Sequence, residues 1–154
     1  MALKTRPISW ITPALKVFQQ FPDGAKAICL TALTIAAEGG KADIAKPEGD
    51  TKMKGDQLRV VHGAGNVFHD LQRENADVEQ FKAILAAEII KLLDRERLSV
   101  RAAQQRTGIA AADFSRIRNA ELGRFTVDRL MSIVNRLGSR IEVKVRVRRI
   151  QAVA

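Results

Sequence analysis

The sequence predicts a mainly α-helical protein with one β-strand near its C-terminus and a small strand-and-two-helix segment at its front. Three observations carry that expectation. Phe81, Leu85, Ile89 and Leu92 recur at the spacing of a buried helical stripe. Ser99, Gly108, Thr126 and Gly138 punctuate the residues that follow as the caps and stops of short helices. From Ile141 the apolar period falls from about 3.6 residues to about 2, the signature of a strand.

Taken in order, "TRPISWI" reads as a short extended lead-in, followed by two helices split at "FPDG". Pro22 suits a first helical turn, and Ala25, Ile28, Cys29, Ala32, Leu33 and Ala36 then recur at helical spacing. This front segment spans residues 1–38. Residues 39–65, rich in Gly, Lys and Asp with little apolar periodicity, read as a linker. A helical domain is expected over 66–138. "NVFHDL" precedes an expected cap at Asp77, with Gln80 three residues on as in a capping box, and a long helix over about 78–97. Ser99 caps "VRAAQQRT", which Gly108 ends; a helix over about 111–119 follows, and Thr126 caps "VDRLMSIVNRL" before Gly138.

In the final segment, residues 139–150, Ile141, Val143, Val145 and Val147 point one way and Glu142, Lys144, Arg146 and Arg148 the other. A lone strand is a liability, so this one is expected to pair with its copy in a second subunit, or with the N-terminal segment. The four apolar residues are then the dimerisation face.

The chain has 154 residues, is 46% hydrophobic and carries a formal charge of +9, enough apolar content for a core and a field that attracts polyanions. The charge is uneven. Residues 1–65 hold 9 Lys and Arg against 6 Asp and Glu, while residues 95–149 hold 14 against 5, with Lys144 the one lysine there. Arginine offers forked donors that suit phosphates and guanine edges. Cys29 is the only cysteine, which excludes an intrachain disulfide or a four-thiolate metal site and fits a reducing cytoplasm. No run approaches the roughly 20 apolar residues that span a bilayer, so no membrane partner is expected.

Two short helices joined at Gly108, with Ile109, Phe114 and Ile117 turned inward, match a helix-turn-helix unit that lays its second helix in the major groove of double-stranded DNA. On that second helix Ala111, Ser115, Arg116 and Asn119 face outward as the base-reading set, Arg116 suited to guanine and Asn119 to adenine. Arg101, Arg106, Arg118 and Arg124 are the expected phosphate anchors.

Enzyme chemistry is not expected. The chain lacks Tyr and shows no paired carboxylates at a suggestive spacing, and His62 and His69, with Asp70 or Cys29 as the sole helpers, fall short of a metal site. No cofactor is expected either. Trp10, Phe18 and Phe21 could stack on bases but fit better as the core of a small domain.

Residues 65–149 resemble the Xre/Cro-like antitoxins of the HigA type. The likeness rests on "GNVFHDL", on Phe-Ser-Arg-Ile in the reading helix, and on "GRFTVDRLMSIVNRLG" followed by a strand, in that order. It implies a dimeric repressor that binds the promoter of its own operon and neutralises a RelE/HigB-like ribonuclease toxin. Three positions depart from the family's habit: Val100 and Ala111 stand where a glutamine is common, and Gln104 where a small alanine packs. The stretch "ISWITPALKVFQQFPDGAKAICLTALTIAAEGG", with "AKPEGDTKMKGDQLRVV" behind it, resembles the first half of phage-derived HigB-like toxins, which open with a strand and two helices. That likeness implies a fusion of a truncated toxin to an antitoxin, with residues 1–62 a catalytically dead remnant or an interaction and dimerisation module. The alternatives are residual ribonuclease activity in that segment, and a protein-interaction module without DNA binding that only sequesters a separate toxin.

Overall fold

The structure is a computed structural model that describes residues 5–44 and 59–149. The "AKPEGDTKMKGDQL" stretch of the expected linker lies outside the described residues, as does Ile150 of the expected C-terminal strand.

A short strand β1 (Ser9–Ile11) leads directly into helix α1 (Thr12–Gln19), whose first turn holds Pro13 where no backbone donor is needed. After the "FPDG" break comes α2 (Asp23–Ala37), with Pro22 just outside the helix as its N-cap rather than within the first turn. Strand β2 (Val60–His62), from the end of the expected linker, returns antiparallel to β1 with Trp10 opposite Val61. The pairing extends beyond both ends: the Thr12 amide donates to the Arg59 carbonyl at 2.9 Å and the Gly63 amide to the Ile8 carbonyl at 3.1 Å. Gly63 must be glycine here, because a Cβ would collide with the Ile8 carbonyl and the Asp70 carboxylate.

A one-turn helix α3 (Val67–Asp70) is capped by Asn66, whose side-chain oxygen accepts from the Phe68 and His69 amides at 3.1 Å each. The long helix α4 (Ala76–Arg95) follows. Its expected capping box does not form. The N-cap is Asn75, in a left-handed conformation without a side-chain cap; Asp77 accepts from Asn66 at 3.2 Å, and Gln80 donates instead to the Gly65 carbonyl at 2.9 Å and the Thr5 hydroxyl at 3.1 Å. Both side chains thus tie α4 to the segment before it. Helices α5 (Val100–Thr107), α6 (Ala111–Arg118) and α7 (Val127–Arg136) complete the fold within a residue or two of expectation.

Helix α4 runs through two apolar clusters. One gathers Leu85, Ile89, Ile90 and Leu93 with Phe114, Ile117, Leu130 and Ile133 of the last helices. The other packs Ala83 against Phe18, Leu30, Val67 and Phe68, bordered by Ile8 and Trp10. Truncating Ile89 or Ile90 to Ala would therefore cost about 2–5 kcal/mol. Helix α2 joins both clusters, since Leu30 lies in one and Ile35 in the other. Its most buried face is Leu30, Thr31, Thr34 and Ile35, whereas Ala36, expected inward, is exposed. The Thr34 hydroxyl satisfies itself on the Leu30 carbonyl at 2.9 Å. Trp10 and Phe18 meet at 4.9 Å with their rings tilted, Phe18 buried and Trp10 half-buried against it, while Phe21 sits at the edge, 40% exposed.

Residues 139–149 form no strand within the single chain, and of the two expected pairings the one with the N-terminal segment does not form, since neither β1 nor β2 pairs with them. Ile141 packs against the main cluster, but Val145 and Val147 are 78% and 92% exposed. The physical reason is the lack of a ladder: an alternating sequence becomes a strand when another edge takes its backbone hydrogen bonds. No described helix is long and apolar enough to cross a membrane.

Candidate nucleic-acid interface

Three local devices set the geometry of α5 and α6. The Ser99 hydroxyl accepts from the Ala102 amide at 3.1 Å and starts α5. Gly108, at φ 73°, closes it in the left-handed conformation that glycine adopts without strain. The Thr107 hydroxyl bridges the turn, donating to the Ala103 carbonyl at 2.7 Å and accepting from the Ile109 amide at 3.2 Å. Ile109, Phe114 and Ile117 are then buried against α4 and α7, which leaves the opposite side of α6 outward.

Ala110, the N-cap of α6, has no capping side chain of its own. Gln104 of α5 supplies the cap, its side-chain oxygen accepting from the Ala111 amide at 3.0 Å. Gln104 therefore holds the start of the second helix.

Ser115 is exposed, and Ala111, Arg116 and Asn119 are half-buried beside it. Arg116 does not stand alone. Its guanidinium meets the Asp113 carboxylate at 3.3 Å, and Arg129 of α7 meets the other oxygen of the same carboxylate at 3.2 Å. Asp113, Arg116, Arg124, Phe125 and Arg129 line one small cavity of ≈ 130 Å³. Three permanently charged guanidinium groups around one carboxylate leave an excess of positive charge, suited to a phosphate backbone or a base edge bearing acceptors. Asp113 and Arg129 were not anticipated. The Asp113 to Arg116 spacing, i to i+3 on a helix, was available as a signal, but the reach of Arg129 across from α7 was not.

The expected phosphate anchors divide. Arg101 and Arg124 are exposed. Arg118 faces away, toward α4 and the turn after α2, bonded to Asp94 at 2.8 Å and near Asp43 at 4.0 Å, while its carbonyl accepts from the Asp43 amide at 2.8 Å. Arg106 pairs with Glu96 and donates to the Leu137 carbonyl at 3.3 Å, and Arg136 donates to the Thr107 carbonyl at 3.1 Å. Arg106 and Arg118 thus serve as struts holding the unit to its frame. His62 bonds to Ser9 at 3.2 Å and His69 lies in α3; no group of three or more potential ligands is placed to hold a metal ion among the described residues.

In α7, the Thr126 hydroxyl accepts from the Arg129 amide at 3.3 Å and caps the helix that carries Arg129. The same hydroxyl does most to lower the pKa of the Asp128 carboxyl below its usual 3.8, opposed in part by burial and aided less by the backbone amides of Asp128 and Arg129.

Neither a curated protein nor a solved structure matches the chain. Residues 67–146, more than half of the 154, match the family described as a helix-turn-helix domain, and the matched stretch contains α3 to α7 with the whole arginine cluster. With the turn at Gly108, the buried Phe114 and Ile117 and the outward face of α6 already in place, the chain belongs to the helix-turn-helix domain family.

Proposed function

We propose that this protein is a sequence-specific DNA-binding transcription regulator of the antitoxin class, non-enzymatic, cofactor-free and cytoplasmic. It acts as a homodimer, represses its own operon and neutralises a RelE/HigB-like toxin. The observation that carries the DNA-binding part is the gathering of Arg116, Arg124 and Arg129 around Asp113 at the outward side of α6. Ser115, Arg116 and Asn119 read bases, with Ala111 close enough for apolar contact, and Arg101, Arg124 and Arg129 hold phosphates. The antitoxin part is supported by the family resemblance of residues 65–149.

A mobility-shift titration on the duplex upstream of the protein's own reading frame tests this. Arg116→Ala is expected to cost about 1–3 kcal/mol on that duplex and to relax preference at one base pair. Unchanged affinity together with unchanged preference overturns the assignment. For the toxin, co-expression with the product of an adjacent reading frame should relieve that product's growth arrest.

A second reading is favoured by one observation: β1, α1 and α2 follow the strand-and-two-helix order implied by the likeness to HigB-type toxins. On it, residues 1–62 retain ribonuclease activity held in check in cis. Growth arrest on expression of residues 1–64 supports that reading, and normal growth supports the regulator alone.

A further inference from the structure

Residues 140–148 read Arg-Ile-Glu-Val-Lys-Val-Arg-Val-Arg, and their alternation of polar and apolar side chains is the same from either end about Lys144. The segment is anchored at one end and open at the other. Ile141 packs on the core, while the backbone beyond it has no ladder and Val143, Val145 and Val147 are exposed. Alongside runs a groove of ≈ 560 Å³ whose walls combine Leu85, Leu92, Ile141 and Val143 with charged residues that include Glu88 and Lys144.

We infer that this segment pairs antiparallel with the same segment of a second copy of this chain, with the two-fold axis passing through Lys144. The inference deepens the homodimer of the regulator reading and rests on it. An isologous contact requires a surface complementary to itself, and a strictly alternating strand meets that condition about its middle residue. In an antiparallel pair, opposed side chains share a face. Registers whose opposed residue numbers sum to an odd value set valine against charge and are excluded by the pleat. Among the rest, centring on Lys144 places Ile141 opposite the partner's Val147, Val143 opposite the partner's Val145, and Glu142 opposite the partner's Arg146.

The neighbouring registers with matching faces are worse. Centring on Val143 leaves Val147 opposite Ser139, and centring on Val145 sets Ile141 opposite Arg149 and Lys144 opposite Arg146. The Lys144 register alone opposes all four apolar residues to apolar ones, and its only opposed like charges, Lys144 with itself and Arg140 with Arg148, lie on the solvated face with long flexible side chains. Because Ile141 already sits on the core, the apolar face of the ribbon continues over the groove, and the partner's Val147 enters beside it.

Cysteine scanning of the full chain in a Cys29→Ser background tests the register. A residue on the axis faces itself within the roughly 4.4–6.8 Å Cα separation that a disulfide spans. Lys144→Cys should therefore form a disulfide-linked dimer on mild oxidation far more readily than Val143→Cys or Val145→Cys. A maximum at either valine position overturns the register, and a chain that sediments as a monomer at micromolar concentration overturns the interface. Glu142→Arg and Arg146→Glu should each weaken the dimer about tenfold, by placing like charges opposite at two symmetric positions, and together should restore it. Failure of that rescue also refutes the register. Mobility shifts on the same proteins separate the two readings: an intact dimer that binds no duplex refutes the regulator alone, and a monomer that binds its duplex refutes this inference alone.

Discussion

The side-chain oxygen of Gln104 accepts a hydrogen bond from the Ala111 amide at 3.0 Å, so the first helix of the pair caps the second. The donors at a helix start are otherwise left without partners, and Ala110 has no side chain able to serve them. Gln104→Ala is expected to cost about 1 kcal/mol in urea denaturation and to weaken binding to every duplex alike, since it loosens the reading helix without touching a base. Ala110 has the extended backbone of an N-cap, with φ −56° and ψ 135°, so Ala110→Ser added to Gln104→Ala should recover most of the loss. An unaltered unfolding midpoint for Gln104→Ala would show that solvent replaces the cap.

Asp113 holds Arg116 and Arg129 by different oxygens. Removing it as Asp113→Ala frees both guanidinium groups and deletes a negative charge from the proposed interface. Affinity for a scrambled duplex should rise, while the ratio of own to scrambled duplex should narrow by about tenfold, about 1.4 kcal/mol of lost discrimination. If the ratio holds, Asp113 does not set the aim of Arg116.

The Thr126 hydroxyl both caps α7 and lowers the Asp128 pKa. A carboxyl whose folded pKa lies below its unfolded value contributes stability that is present above the unfolded value, near 3.8, and lost as pH falls through the folded value. Thr126→Val should bring the Asp128 pKa, read by NMR titration, back toward 3.8, and flatten the pH dependence of stability below that point. Loss of the cap should cost about 1 kcal/mol at neutral pH. An Asp128 titration unchanged in the variant would assign the lowered pKa to the backbone amides.

Arg97 follows α4 at φ 52°, the Leu98 amide reaching back to the Leu93 carbonyl at 2.8 Å as in a helix stop that usually takes glycine. The residue is exposed, so the strain is separable from packing. Arg97→Gly should stabilise the fold by about 0.5–1 kcal/mol in urea titration. A fall in stability would mean that the arginine side chain contributes more than its backbone costs.

Much of the helix-turn-helix frame was legible in the sequence because its signals are local. Ser99, Gly108 and Thr126 act on backbone groups within a few residues of themselves, and residue type decides whether they can. The stripe of α4 was legible for the same kind of reason, since its polar and apolar residues alternate at the helical period. On α2, apolar nearly all round, periodicity did not choose a face. Its position between two clusters turned Leu30, Thr34 and Ile35 inward and left Ala36 outside.

Side chains whose partners lie far along the chain were the least legible. Gln80 has the spacing of a capping box, yet it bonds to Gly65 and Thr5, the latter 75 residues away. Arg106 and Arg118 have the composition of phosphate anchors, yet Glu96 and the Asp43 and Asp94 carboxylates engage them as struts. The strand pattern at 141–147 was visible, but a strand is a relation between two edges, and among the described residues no second edge pairs with this one.

The sequence by itself determined where α5, α6 and α7 begin and end, that Leu85, Ile89, Phe114 and Ile117 turn inward, and that positive charge concentrates over residues 95–149, because caps, period and charge are properties of short stretches. Only the tertiary structure decided which arginines face outward, that Asp113 joins Arg116 to Arg129, and that Gln104 caps α6. Those outcomes depend on distances between elements that packing around α4 fixes, and local spacing carries no information about them.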